Sequence, residues 1–352
     1  MVSRSRTARW WVAAAFIAVA VAVCVALVRA NQAVTHTDAD GTPAGAAPGP
    51  FPTPTTTVNP ADAPTPPAHG AYFGAYPQPA SDTQPARIAA VDTLQQQLGR
   101  QLGIVHVYLK WQAPFPTSSD LAILHQNSIL LLSWAGADTR TITSGAYDSL
   151  IRQRAREIKA TGKPIFLEWR WEMTRPNLSY QIHSPADYVA AWDHIRSIFA
   201  QEHVKNVAWV WCPSSWAFAN GSAQAYYPGN NEVDWVCADA YPPSGYHSFA
   251  DVVHPLLDWA SHHSKPVMIG EYGVPRSYLP QQRAQWLRAA GQTARSDPQV
   301  KALVYFDGDP AGNGVRVMYG LDPGSAPLQA LRAVADERYF AARDHRPARR
   351  QH

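Results

Sequence analysis

From residue 71 onward, short apolar runs alternate with longer stretches whose apolar positions return every three or four residues. The first pattern reads as buried strand and the second as amphipathic helix. Strands are predicted at Ala71–Tyr76, Ile104–Lys110, Ser128–Trp134, Pro164–Trp171, Val207–Cys212, Asp234–Asp239, Pro266–Gly270 and Ala302–Phe306. Helices are predicted at Ala86–Leu102, Tyr147–Thr161, Pro185–Glu202, Phe249–His262 and Gln281–Arg295, with a final one at Leu328–Asp336 and a short connection at Ser118–His125. Eight strands alternating with helices imply parallel βαβ units, and strands apolar on both faces imply a sheet covered on both sides. The fold class expected is α/β, a (β/α)8 barrel, for which roughly 250 residues suffice. An open doubly wound sheet is the alternative, but no glycine-rich dinucleotide fingerprint follows the first strand.

The pattern changes at both ends. Trp10 to Val28 is an uncharged apolar run preceded by Arg4, Arg6 and Arg9. That length and flank fit a spanning helix with its N-terminus in the cytoplasm. Val28-Arg29-Ala30 also fits a cleavage site, so residues 1–30 are read as an anchor, with a cleaved signal peptide as the alternative. Residues 31–68, rich in Pro, Thr, Ala and Gly without apolar periodicity, read as an extended linker. Residues 69–342 form the expected catalytic domain and 343–352 a basic tail. The expected location is outside the cytoplasm, held to the membrane by the N-terminal helix or secreted if that helix is removed. The formal charge is +3, yet the excess sits in the two ends and the body is near neutral. Such a body argues against nucleic acid as partner. A monomer is expected.

Polar and aromatic residues gather where the predicted strands end, which is where barrel enzymes carry their chemistry. The fourth strand runs into Glu168-Trp169-Arg170-Trp171-Glu172-Met173, the fifth into Trp209 to Trp216, the sixth into Asp239-Ala240-Tyr241 and the seventh into Gly270-Glu271-Tyr272-Gly273. Glycoside hydrolysis requires two carboxyl groups, one to protonate the leaving oxygen and one to attack the anomeric carbon or activate water. The fourth and seventh strands face each other across a barrel mouth, so Glu172 and Glu271 form the natural pair.

The segment Lys265-Pro266-Val267-Met268-Ile269-Gly270-Glu271-Tyr272-Gly273 resembles the nucleophile strand of glycoside hydrolase family 26, the β-mannanase family. Tyr226-Tyr227-Pro228-Gly229 followed by Val233-Asp234-Trp235-Val236, together with Trp209-Val210-Trp211 and Trp171-Glu172-Met173, extends the resemblance over most of residues 71–335. It implies a retaining double displacement, with Glu172 as acid/base and Glu271 as nucleophile, on a β-mannan-like polysaccharide. The sequence departs from the family pattern at Trp171, where His is usual, at Thr174-Arg175, where Asn-Gly is frequent, and at Phe306, where Trp is common in the wider clan. An arginine upstream on the fourth strand is shifted to Arg170.

Further expectations follow from position. Tyr241 should hydrogen-bond Glu271. Arg170, alternating with Glu168 and Glu172, should pair with Glu168 inside the barrel or reach a sugar hydroxyl. Trp211 and Trp216 are candidate stacking platforms, Trp111 and Trp134 candidate cleft walls, and Asp239 a candidate subsite residue or strand-end cap. Cys212 and Cys237 could pair in an oxidising compartment; two buried free thiols are the alternative. The scattered histidines have no metal-ligand spacing, so neither a metal nor a cofactor is expected. Two other functions fit the same residues: a catalytically silent carbohydrate-binding barrel, and a transglycosidase that remodels envelope glycan.

Overall fold

The computed structural model describes residues 62–309, 311–312, 315–316 and 318–341. The apolar segment at 10–28, nearly all of the linker and the basic tail lie outside the described residues. Among the described residues, no helix is long and apolar enough to cross a membrane.

Eight parallel strands close into a barrel in sequence order: β1 (Tyr72–Pro77), β2 (Ile104–Leu109), β3 (Ile129–Trp134), β4 (Ile165–Trp169), β5 (Val207–Trp211), β6 (Trp235–Ala240), β7 (Val267–Tyr272) and β8 (Val300–Asp307). The expected (β/α)8 architecture therefore holds. Long helices at Gln84–Leu98, Asp148–Ala160, Pro185–Gln201, Phe249–Ser261 and Pro280–Ser296 return the chain between strands, and Ala326–Ala335 follows the last one. Their ends are written locally. Thr117 with Asp120 and Ser248 with Asp251 form reciprocal capping boxes, and Ser184 caps a helix that opens on Pro185. Gly99 ends the Gln84–Leu98 helix at φ 72°, a left-handed conformation that glycine adopts without a Cβ penalty.

Two apolar layers result from strand alternation. Ile104, Ile129, Leu131, Phe166, Ala208, Val210, Trp235, Met268 and Val304 fill the barrel interior. Leu130, Leu132, Trp134, Trp169, Trp209 and Trp211 face outward, into the layer shared with the helices. The expected linker ends earlier than 68, because its last residues belong to the barrel. Ala63 packs against the interior cluster, and the Thr65 carbonyl accepts a 3.0 Å hydrogen bond from the Tyr72 hydroxyl.

Two strands end two residues away from the sequence expectation, and both differences matter at the mouth. β4 stops at Trp169 instead of Trp171, because Arg170 and then Glu172 take left-handed conformations, φ 55° and 46°. β7 continues past Gly270 to Tyr272, and its register against β6 slips so that Asp239 faces Glu271 while Ala238 faces Ile269.

Candidate active site

The register slip in β7 is what aims Glu271. Strict alternation from Met268 would point Gly270 into the barrel and Glu271 out toward the helices. One extra residue in a strand re-aims the side chains beyond it, so Glu271 turns inward while Tyr272 packs outward on Trp286. Gly270 allows this because a Cβ there would lie 2.5 Å from Cys237 Sγ and 3.1 Å from Cys212 Sγ. Those two cysteines, on β6 and at the end of β5, are joined in a disulfide beneath the carboxylate.

Glu271 is buried and is held by two phenols. Tyr241 donates to Oε2 at 2.7 Å, as the sequence suggested, and Tyr108 on β2 donates to Oε1. Burial and the nearby Glu172 charge push its carboxyl up to about 7, against the two hydrogen bonds and the Arg175 charge. Glu172 stands on the opposite side of the mouth, its backbone N–H on the Cys212 carbonyl at 2.8 Å. Its carboxyl is raised by burial and opposed by Arg175, whose Nη1 lies 3.0 Å from Oε2 one turn further on. Burial raises both carboxyls, and the Glu172 charge raises Glu271 further, a pairing in which one group can hold a proton while the other is ionised.

Below this pair lies a second polar layer. His106 Nε2 sits 2.6 Å from Ser133 Oγ, which donates in turn to Glu168. Complete burial drives His106 down to about 3, so the ring is neutral and its 3.7 Å approach to Glu168 is not an ion pair. Burial also pushes Glu168 and Asp239 well above the usual carboxylate range. Glu168, Asp239, Cys212 and Cys237 bring their ligand atoms within 4.8 Å of one another. The disulfide ties up both sulfurs, so no thiolate is offered to a metal there.

Several expected positions are corrected. Arg170 does not pair with Glu168: its left-handed backbone breaks the alternation, and its guanidinium reaches the Gly136 carbonyl and Gln181 Oε1, tying the loops after β3 and β4. Trp211 is no sugar platform, since it faces outward and is enclosed by Phe218, Tyr227 and Trp259. Trp134 and Trp111 stack on each other at 4.2 Å in the outer layer, with the buried Arg154 guanidinium over Trp134, and do not line the cleft. Asp239 is fully buried beside the disulfide, so it supports the floor of the site and cannot touch a ligand in the mouth. Trp216 is 64% exposed on the short helix Ser215–Ala219 that follows β5.

Other contributors were not singled out from sequence. Tyr108 and His106 alternate on β2, a period-2 polar pair in an otherwise apolar strand that carried the signal. Tyr76 stacks on Phe306 at 4.9 Å, and Tyr319 lies 4.6 Å from Tyr241, so aromatic rings wall the mouth on the β1, β8 and β6 sides. Tyr319 comes from a segment beyond β8 that no strand pattern marks.

No protein-family model matches the chain. In sequence it is 28% identical over 243 residues to endoglucanase H of Acetivibrio thermocellus, a match covering 64% of this chain and 27% of that protein. It is 25% identical over 163 residues to a β-1,3-xylanase of a Vibrio species, covering 46% and 34% of the two chains. It is 29% identical over 111 residues to mannan endo-1,4-β-mannosidase A and B of Caldalkalibacillus mannanilyticus, covering 31% and 20%. The chain thus spans about a third or less of the length of these relatives. Solved structures with the same fold include a glycoside hydrolase family 26 β-mannanase from Bacteroides ovatus, at TM-score 0.57 and 13% identity, covering 78% of this chain and 90% of that one. The catalytic domain of a family 26 endo-β-1,4-mannanase from a Bacillus species matches at TM-score 0.60 and 13% identity, covering 77% and 86%. The resemblance to glycoside hydrolase family 26 read from the motifs therefore holds at the level of the barrel, and the relatives found by sequence are named as glycan-cleaving enzymes.

Proposed function

We propose that this chain is a glycoside hydrolase that cleaves a β-linked polysaccharide by double displacement, with Glu271 as nucleophile and Glu172 as general acid/base. The observation that carries this reading is the pair of phenols on Glu271. A nucleophile must present an ionised oxygen along a fixed direction, and two donors on a buried carboxylate supply both orientation and charge stabilisation. Glu172 donates its proton to the leaving oxygen as Glu271 bonds the anomeric carbon. It then takes a proton from the water that releases the sugar. Arg175 favours the ionised form of Glu172 needed in the second half, and burial favours the protonated form needed in the first.

The names of the xylanase and mannosidase relatives share a β linkage, and a β-mannan-like backbone is the first substrate to test. Trp216 offers an exposed ring at the rim for stacking on a polymer. Residues 10–28 are read as a membrane anchor and the following Pro-rich segment as a tether, giving a monomeric enzyme outside the cytoplasm. A disulfide between Cys212 and Cys237 suits that compartment.

The test is digestion of β-mannan, β-glucan and β-1,3-xylan, with proton NMR of the first-formed anomer. We expect products of retained configuration. Glu271→Ala and Glu172→Gln should each lower kcat by about 10²-fold or more. Wild type and both variants degrading the same polymers at the same rates would remove these two residues from the mechanism.

A further inference from the structure

Between the upper halves of β1 and β2 the barrel wall opens. The two strands pair only at Gly74–Ile104 and Ala75–Val105, and beyond that point Tyr76 and Pro77 remain bonded to β8 alone. The gap leads into a cavity of about 270 Å³. Its walls are mostly apolar, from Val91, Val107, Leu109, Ile123 and Ala135, with the His106 ring and the Ser119 hydroxyl among the polar exceptions. Tyr76, Tyr108 and Trp171, whose rings touch one another in sequence, also line it. Tyr108 is the phenol that donates to Glu271, and its ring meets Trp171, the residue before Glu172, so the cavity and the candidate active site share a wall.

Protein interiors rarely leave voids larger than a water molecule, and an apolar cavity of about 150 Å³ is enough to bind benzene. A cavity nearly twice that size, walled mostly by apolar side chains, offers few partners to a sugar ring, whose hydroxyls need them. It does suit a short alkyl chain or an aryl ring. The exposed Lys110 and the Arg87–Asp82 pair stand at the outer mouth, where a polar end would remain in water.

We propose that the cavity between β1 and β2 is a substrate subsite for an apolar substituent, an acyl, alkyl or aryl group carried by the sugar bound beside Glu271. This rests on the glycosidase reading above and adds a substrate class to it: a glycan or glycoside bearing a hydrophobic decoration. Trp171, where the family pattern has His, forms one wall at the junction of the two spaces.

The experiment is calorimetric titration of the full chain with 1-thio-β-D-mannopyranosides and 1-thio-β-D-glucopyranosides, which resist cleavage. One arm compares methyl, phenyl and n-hexyl thioglycosides; the other compares methyl thioglycosides with and without a 6-O-hexanoyl group. The arms distinguish attachment through the anomeric position from attachment through a ring hydroxyl, and phenyl from hexyl separates a flat group from a chain. The expected result is at least about tenfold tighter binding of an apolar probe than of its methyl counterpart, since several apolar groups leave water on binding. Val107→Phe and the smaller change Ala135→Leu, both checked for native circular dichroism, should bring that ratio close to one. Equal affinity for methyl and apolar probes in wild type, no binding of any probe, or a ratio unchanged in both folded variants overturns the proposal. The readout is binding, so a preference that persists while Glu271→Ala leaves polymer degradation intact would sink the catalytic assignment and spare the subsite.

Discussion

Glu271 carries an electrostatic cost at the site. It is 6% exposed, and burial together with the Glu172 charge pushes its carboxyl up to about 7, from 4.5 for a free glutamate. A carboxyl whose folded pKa is raised stabilises the fold fully below its unfolded pKa, and that contribution is lost as pH rises through the folded value. Glu271→Gln should therefore match wild type in thermal stability near pH 4 and exceed it above pH 8, by on the order of 2 kcal/mol. Melting curves at the two pH values test this, and a variant less stable than wild type at pH 8 contradicts it. Arg175 is the counterweight for Glu172. Removing a cation 3.0 Å from a carboxylate raises that group's pKa. The alkaline limb of kcat/KM for Arg175→Ala should accordingly move to higher pH; an unmoved limb would mean that Arg175 does not act on the acid/base.

At the scale of elements, β4 and β7 each break their own regularity where they reach the mouth. Two left-handed residues, each costing about 1–3 kcal/mol, carry Glu172 over the end of β4. One slipped register turns Glu271 inward from β7. Such irregularities at a barrel rim aim side chains. Gly270→Ala probes the second directly, because its methyl group would overlap the Cys237 and Cys212 sulfurs. We expect a loss of about 1–3 kcal/mol in urea unfolding. We also expect a fall in kcat of about 10²-fold from displacement of the nucleophile. If kcat stays at the wild-type level while stability falls, the bulge does not set the position of Glu271.

For the molecule as a whole, the barrel is closed at its lower face by both flanks of the chain. The Ala71 N–H bonds the Tyr339 carbonyl at 2.9 Å, Phe340 packs on Phe73, and Ala63 lies against the interior cluster. A protein beginning at residue 62 keeps the Ala63 and Thr65 contacts with the barrel, and burial, not chain position, decides tolerance to truncation. One beginning at residue 71 should melt several degrees lower, since about 1 kcal/mol shifts the melting temperature of a domain this large by roughly 2–4 °C. Equal melting temperatures for the two truncations would show that residues 62–70 add nothing to the fold.

The barrel was legible in the sequence because eight buried strands must repeat the same apolar signal, and a one-residue error at a boundary does not alter that count. The candidate carboxylates were legible because strand ends in such a barrel converge on one face. The aromatic residues were not. Trp211, Trp134 and Trp111 carry the same composition signal as Trp216, and only tertiary packing put the first three in the outer apolar layer and left the fourth in solvent. Arg170 was misplaced because alternation was extended across a residue whose φ is positive. Sequence by itself determined the order of elements, the two opposed glutamates and the apolar segment near the N-terminus, all of which rest on local pattern. Tertiary structure decided that Tyr108 joins Tyr241 on Glu271, what the cysteines do, and where β1 and β2 part to admit a cavity. Those depend on register between strands distant in the chain, and a slip of one residue there reverses which face every later side chain occupies.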